Sequence, residues 1–255
     1  MPASRFLACV PILLFLFAAP ASASDPAPGN VSVLELFTSQ GCSSCPPADA
    51  LMGEFSKQPG LVALTYAVDY WDYLGWKDTL AKPAYSRRQR AYAVARADRN
   101  VYTPQVIING ITHAVGSRKS QIDSRIASTS KKLRPIHVPV QITETGDKLT
   151  VTLGKAPDAL TDRQATLWLV LYQSSVEVKI TRGENRGRKI TYHNVVREMT
   201  PAGMWDGAMK TIDLSKSALS QSGYDGFALL LQQKTGGAIL GAARGALPVL
   251  KMSNM

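Results

Sequence analysis

Val31-Ser-Val-Leu-Glu-Leu-Phe-Thr-Ser-Gln-Gly-Cys-Ser-Ser-Cys-Pro-Pro-Ala-Asp49 is the stretch from which the fold is read. Its first seven residues, Val31 to Phe37, are rich in β-branched and aromatic side chains and predict a largely buried strand. Thr38 to Gly41 turns the chain. Pro46, Pro47, Ala48, Asp49, Leu51, Met52 and Phe55 suit a helix, because amides in a first turn have no intrahelical partner and proline is tolerated there. Cys42 and Cys45 therefore fall between a strand and a helix. A helix N-terminus stabilises an anion, so Cys42 is the expected nucleophilic thiolate and Cys45, a turn further in, the thiol that resolves a mixed disulfide. A bridge closing so short a loop removes little chain entropy, which argues against a purely structural role. Redox chemistry and metal binding both remain open for a lone Cys-x-x-Cys.

Working outward, Leu61 to Val68 reads as a second apolar strand, parallel to the first after the helical crossover. Asp69-Tyr-Trp-Asp-Tyr-Leu-Gly-Trp76 leaves its C-terminal end, where ligands of open parallel sheets bind. Trp71, Asp72 and Trp76 are thus candidate substrate-binding residues beside the cysteines, or a cap on the core. Pro83 opens a helix through about Ala97, with Arg87, Arg88, Arg90 and Arg96 expected to face outward. Thr103-Pro104 precedes the run Gln105 to Ile108, and Asn109-Gly110 signals a two-residue hairpin. A proline at the head of a strand is where a cis peptide is tolerated, and cis geometry exposes the Thr103 backbone to an incoming thiol or peptide partner. A last helix is expected near Ser117 to Thr129.

The order strand, Cys42-Ser-Ser-Cys45, helix, strand, helix, Thr103-Pro104, hairpin, helix resembles the thioredoxin fold. More narrowly, Glu35 to Asp49, Asp69 to Trp76 and Tyr102-Thr-Pro-Gln105 resemble an uncharacterised family of secreted bacterial proteins with a thioredoxin-like domain (domain of unknown function 1223). The resemblance implies thiol-disulfide exchange, with Cys42 as attacking thiol, Cys45 as resolving thiol and Pro104 as the cis-proline facing them. It also offers Glu35 as the buried acid that assists the second cysteine. Glu35 lies seven positions before Cys42, one more than in thioredoxin, so Gly41 acts as an insertion. The Ser-Ser between the cysteines replaces Gly-Pro, and the direction of electron flow does not follow.

From about Leu133 the texture changes to short candidate strands, Ile136 to Ile142, Lys148 to Leu153, Ala165 to Tyr172, Val176 to Ile180, Ile190 to Val196, Lys210 to Leu214, Gly226 to Gln232 and Ala238 to Ala243. Eight such strands separated by turn residues indicate an all-β sandwich. The expected architecture is an α/β thioredoxin-like domain over residues 24–132 followed by a β-sandwich-like domain over 133–255, with Lys131 to Pro135 as the linker. Lys179, Arg182, Arg186, Arg188 and Lys189 cluster about Gly183 and Gly187 and form a basic loop, read as solvated.

Arg5 precedes the apolar run Phe6 to Ala19, and Ala21-Ser22-Ala23 follows, the layout of a secretory signal over residues 1–23. The run is shorter than the roughly 20 residues that cross a bilayer. Cleavage after Ala23 gives an exported, periplasmic or secreted chain without a membrane anchor, and it removes Cys9 and Arg5. Two cysteines remain, with 28 basic and 19 acidic residues, net +9. The basic excess is split between the halves, 14 against 9 over residues 25–134 and 14 against 10 beyond, so no nucleic-acid groove is expected. His113, His137 and His193 show no ligand-like spacing. Two cysteines with one of them could hold copper in a metal-delivery module, and a local disulfide in a non-catalytic scaffold is the third reading. The leading expectation needs no cofactor or metal and takes a protein or small-molecule thiol or disulfide as substrate.

Overall fold

The computed structural model describes residues 31–220 and 224–248; the expected signal segment lies outside them. β1 (Ser32–Thr38) and β2 (Leu61–Ala67) pair in parallel across α1 (Pro46–Ser56), as the apolar runs predict. α2 (Pro83–Ala95) leads to β3 (Gln105–Ile108), which pairs antiparallel with β1 and with β4 (Thr112–Val115). Ile108 pairs with Thr112, so the Asn109-Gly110 hairpin has a three-residue loop in place of the expected two, with Asn109 and Gly110 at positive φ. Asn109 is held there because its buried amide accepts from the Val33 N–H at 2.7 Å and donates to Thr129 Oγ1 at 2.8 Å. α3 (Lys119–Leu133) follows, and the expected linker begins inside it.

The C-terminal strands are β5 (Val140–Thr145), β6 (Lys148–Leu153), β7 (Ala165–Lys179), β8 (Lys189–Trp205), β9 (Lys210–Ser215), β10 (Gly226–Gln232) and β11 (Ile239–Ala246), with a short α4 (Lys216–Ser220). The runs Ala165 to Tyr172 and Val176 to Ile180, read as separate strands, are one, because Gln173-Ser-Ser175 continues the ladder against β8. Four of these strands do not close on themselves as a separate sandwich. They extend the N-terminal sheet, in the order β11-β10-β7-β8-β2-β1-β3-β4, while β5-β6-β9 form a second, three-stranded sheet. The joint is β8 beside β2 in parallel at Thr65 and Val195. Thr65 Oγ1 donates to the His193 carbonyl at 2.6 Å, and Asn194 Nδ2 donates to the Ala63 carbonyl at 2.8 Å. The molecule is therefore mixed α/β, with an eight-stranded mixed sheet and a small antiparallel one.

Each face of the large sheet has its own cover, dictated by the period-two alternation of its strands. Leu34, Leu36, Ala63, Val106 and Ile108 point to α1 and α3, which contribute Ala48, Met52, Phe55 and Ile122. Further along the same sheet, Leu167, Leu169, Leu171, Leu229 and Leu231 pack with Leu149, Val151 and Leu153 of the small sheet. The opposite face carries Val33, Phe37, Leu64 and Tyr66 and continues through Val170, Val196 and Leu230, with Tyr85 and Tyr92 of α2 seated on it. Buried Tyr85, Gln89 and Tyr92 recur at the spacing of one helical stripe.

Arg88 belongs to this stripe and turns inward, against the expectation for the arginines of this helix. It makes a two-pronged ion pair with Glu35 at 2.7 and 3.1 Å and donates to Gln232 of β10 at 3.1 Å. The Tyr92 hydroxyl also donates to Glu35. Arg96 likewise pairs with Asp98 at 2.8 Å. Glu35 is 1% exposed, so the pair ties β1, α2 and β10 at one buried point. Removing one partner strands a charge in the interior. Arg88→Met is expected to lower unfolding free energy in urea by about 3–5 kcal/mol, with Glu35→Gln in the same chain recovering most of the loss; a single-variant cost below about 1 kcal/mol would place the pair with solvent-exposed ones.

Candidate functional site around the cysteine pair

Cys42 and Cys45 form a disulfide, with Cα atoms 5.4 Å apart. Cys45 is the N-cap of α1, and its carbonyl accepts from Ala48 and Asp49 at 2.8 and 3.1 Å. Cys45 is fully buried and Cys42 is 4% exposed, while Ser43 and Ser44 face solvent.

Residues distant in sequence border this turn. Thr103-Pro104 is a cis peptide. The approach of its proline to α1 depends on Gly116: a Cβ there would stand 3.0 Å from Ala48 Cβ and 3.1 Å from Pro104 Cβ. Gly116 N–H donates to the Pro104 carbonyl at 2.9 Å. Trp71 spans the gap between the two segments. Its Nε1 donates to Thr103 Oγ1 at 2.7 Å, and its Cβ lies 3.2 Å from where a Cβ on Gly41 would be. Trp76 Nε1 donates to Gln40 Oε1 at 2.8 Å, Asp78 accepts from the Gln40 N–H at 2.7 Å, and Asp72 accepts from the Asp78 N–H at 3.0 Å. Trp71, Asp72, Trp76, Thr103 and Pro104 are thus gathered about the turn that carries Cys42. Both indole N–H groups are committed to this frame.

Glu35 is not gathered with them. Alternation along β1 sends it to the α2 face, whereas α1 and the cysteines stand on the other. The carboxyl on the cysteine side is Asp49, which sequence reading counted only as a helix residue. Positions four apart on a helix share a face, so Asp49 lies one turn below Cys45. It is 1% exposed; Oδ1 accepts from Thr38 Oγ1 at 2.7 Å, and Oδ2 has no hydrogen-bond partner among the described residues. Burial pushes the Asp49 carboxyl up to about 8, against the lowering effect of the Thr38 hydroxyl, and the charge of Asp78 adds to the rise. Asp78 is itself raised, chiefly by burial and less by Asp72, against the amides that bond it. The Tyr192 hydroxyl of β8, buried and unpartnered among the described residues, is raised by burial and by both carboxylates. The available signal in the sequence was the i, i+4 offset from Cys45; burial of that face needed the fold.

The basic loop between β7 and β8 closes the site. Asn185 is 1% exposed and its Nδ2 donates to the carbonyls of Gln40 and Cys42 at 2.9 and 2.8 Å. Glu184 Oε2 accepts from the Ser43 N–H at 3.3 Å. Ile180 packs in a cluster with Ala67, Leu80 and Tyr192. Arg182, Arg186, Arg188 and Lys189 are exposed, as expected, but the loop that holds them is docked on the cysteine turn rather than free.

The histidines lie elsewhere. His113 Nδ1 bonds the Tyr102 hydroxyl at 2.8 Å, His193 sits over Gly53 far down α1, and His137 follows α3. Among the described residues no three His, Cys, Asp or Glu side chains form a metal-sized group. No described helix is long and apolar enough to cross a membrane.

No curated protein matches the chain. A crystal structure of a protein from Agrobacterium tumefaciens is similar over 90% of this chain and 100% of its own, with 32% identity and a TM-score of 0.75. HBP35 of Porphyromonas gingivalis shares the fold over 89% of this chain and 79% of its own, at 13% identity and a TM-score of 0.53. A family model described as protein of unknown function (DUF1223) matches residues 33–232, from β1 through β10, and the chain belongs to that family.

Proposed function

We propose that the N-terminal region is a thioredoxin-like domain of an exported protein and that it exchanges thiols and disulfides through Cys42 and Cys45. The observation that carries this reading is the disulfide at the head of α1, whose turn is linked through Trp71 to the cis Thr103-Pro104. The order β2-β1-β3-β4, with α1 and α3 on one face and α2 on the other, supports it.

In the reduced protein the Cys42 thiolate attacks one sulfur of a partner disulfide; that S–S bond breaks and the first partner thiolate leaves. Cys45, after giving up its proton, attacks Cys42 Sγ, forming the internal disulfide and releasing the second partner thiolate. Two electrons have then passed to the partner. Asp49 takes the role first assigned to Glu35: its carboxylate accepts the Cys45 proton, and its acid form returns one to Cys45 when the reaction runs backward. Raised to about 8, the Asp49 carboxylate is a far stronger base than an ordinary carboxylate, as a proton acceptor for a thiol must be.

A titration against dithiothreitol is expected to give a reversible two-electron couple, with about 30 mV per decade, that Cys42→Ser abolishes. Failure of the reduced protein to exchange with any disulfide reagent sinks the proposal.

Asp49→Asn is expected to slow Cys45-dependent resolution on the order of 10²-fold at neutral pH and to flatten its rise toward pH 8, while leaving alkylation of Cys42 in the reduced protein within about twofold. Stability provides a separate readout. The folded Asp49 keeps its proton to about pH 8 and the unfolded chain loses it near 3.8, so the folded state binds more protons in between. Stability therefore falls as pH rises from about 4 to about 8 and levels off above, and Asp49→Asn reduces that fall. Identical slopes in the two proteins would show that Asp49 is ionised in the fold.

A further inference from the structure

The α2 face of the large sheet holds a cavity of about 420 Å³ between that helix and the β7–β8 ladder. Its size lies within the range of roughly 300–1,000 Å³ common to small-molecule sites. The β10–β11 turn closes one end: a Cβ on Gly236, at φ 77°, would stand 2.6 Å from the Ala91 backbone. Lys82 Nζ, donating to the Arg197 carbonyl, straps the helix to β8 on the same wall.

The lining divides into an apolar body and a cationic rim. Tyr85, Ala91, Trp168 and Met199 give the apolar surface. The Trp168 ring lies on the wall made by β7. Lys82, Arg87 and Arg197 line the cavity, and among the described residues none of them is ion-paired; Glu198 is the single acid of the lining. Arg88, which also reaches the cavity, is neutralised by Glu35. Apolar walls and a net positive rim are complementary to an amphiphilic anion.

We propose that this cavity binds a small amphiphilic carboxylate, an alkyl or aryl body ended by one carboxylate. The body lies on Tyr85, Trp168 and Met199, and the carboxylate sits in the field of Arg87 and Arg197. The cysteine pair stands at the head of α1, on the opposite face, so this site does not depend on the redox reading.

Isothermal titration of the full chain with octanoate and with 2-naphthoate tests it, with octanol and octyltrimethylammonium as uncharged and cationic controls. The carboxylates are expected to bind one to one, at least about tenfold more tightly than either control. Arg87→Gln with Arg197→Gln should weaken octanoate by about tenfold or more and leave octanol unchanged. Ala84→Trp, which fills the mouth from the exposed side of α2, should abolish binding while circular dichroism and the Cys42–Cys45 couple stay as in the parent. Controls that bind as well as octanoate, binding unaffected by Ala84→Trp, or no saturable binding below about 1 mM would each overturn the proposal.

Discussion

The pairing of β8 against β2 is the constraint from which the rest of the architecture follows. An unpartnered β2 would expose a row of backbone donors and acceptors at the edge of the N-terminal sheet. Here the edge is closed by a strand from the other half of the chain, reinforced by Thr65 and Asn194 donating to backbone carbonyls across the joint. Two regions that read as separate units thereby share one sheet. Because β7 and β8 run on past the joint as a long hairpin, their connecting loop arrives beside the cysteines, where Asn185 bonds the Cys42 carbonyl. The same extension widens the sheet beyond what α2 fills and leaves the cavity beside that helix.

Two buried carboxyls in this fold lie in opposite surroundings. Glu35 is enclosed with a guanidinium that offers it two hydrogen bonds, so its charge is compensated where it lies. Asp49 is enclosed with a hydroxyl, a second carboxyl and a phenol, none of them cationic, so burial favours its neutral form. Strand alternation assigns the first to the α2 face, and helical periodicity assigns the second to the face of Cys45. The chemistry of each follows from which neighbours the sheet and helix bring to it.

Much of the cysteine side was legible in local sequence. Val31 to Phe37, the paired prolines and Leu61 to Val68 define strand, helix start and second strand through short-range sterics and apolar run length, and all three form close to where they were read. The misreadings share one cause. By residue type Arg88 reads as outward-facing; its inward turn is set by Glu35, fifty-three positions earlier and on another element. The spacing of Glu35 to Cys42 does not reveal the face of the strand. Gln173-Ser-Ser175 looked like a turn because polar residues interrupt the run, yet the ladder to β8 continues through it.

By itself, the amino-acid sequence determined that a Cys-x-x-Cys would stand between a strand and a helix, that Thr103-Pro104 would head the next hairpin, and that the second half would be β-rich. These are consequences of backbone sterics, capping and hydrophobic period, which act over a few residues. Tertiary structure alone decided that the second half would continue the first half's sheet, that Asn185 would reach across 143 positions to the Cys42 carbonyl, and that Asp49 would be the buried acid beneath Cys45. Each of those depends on which unsatisfied edge, carbonyl or apolar face another part of the chain covers, and long-range pairing of that kind leaves no periodic trace in the segments that make it.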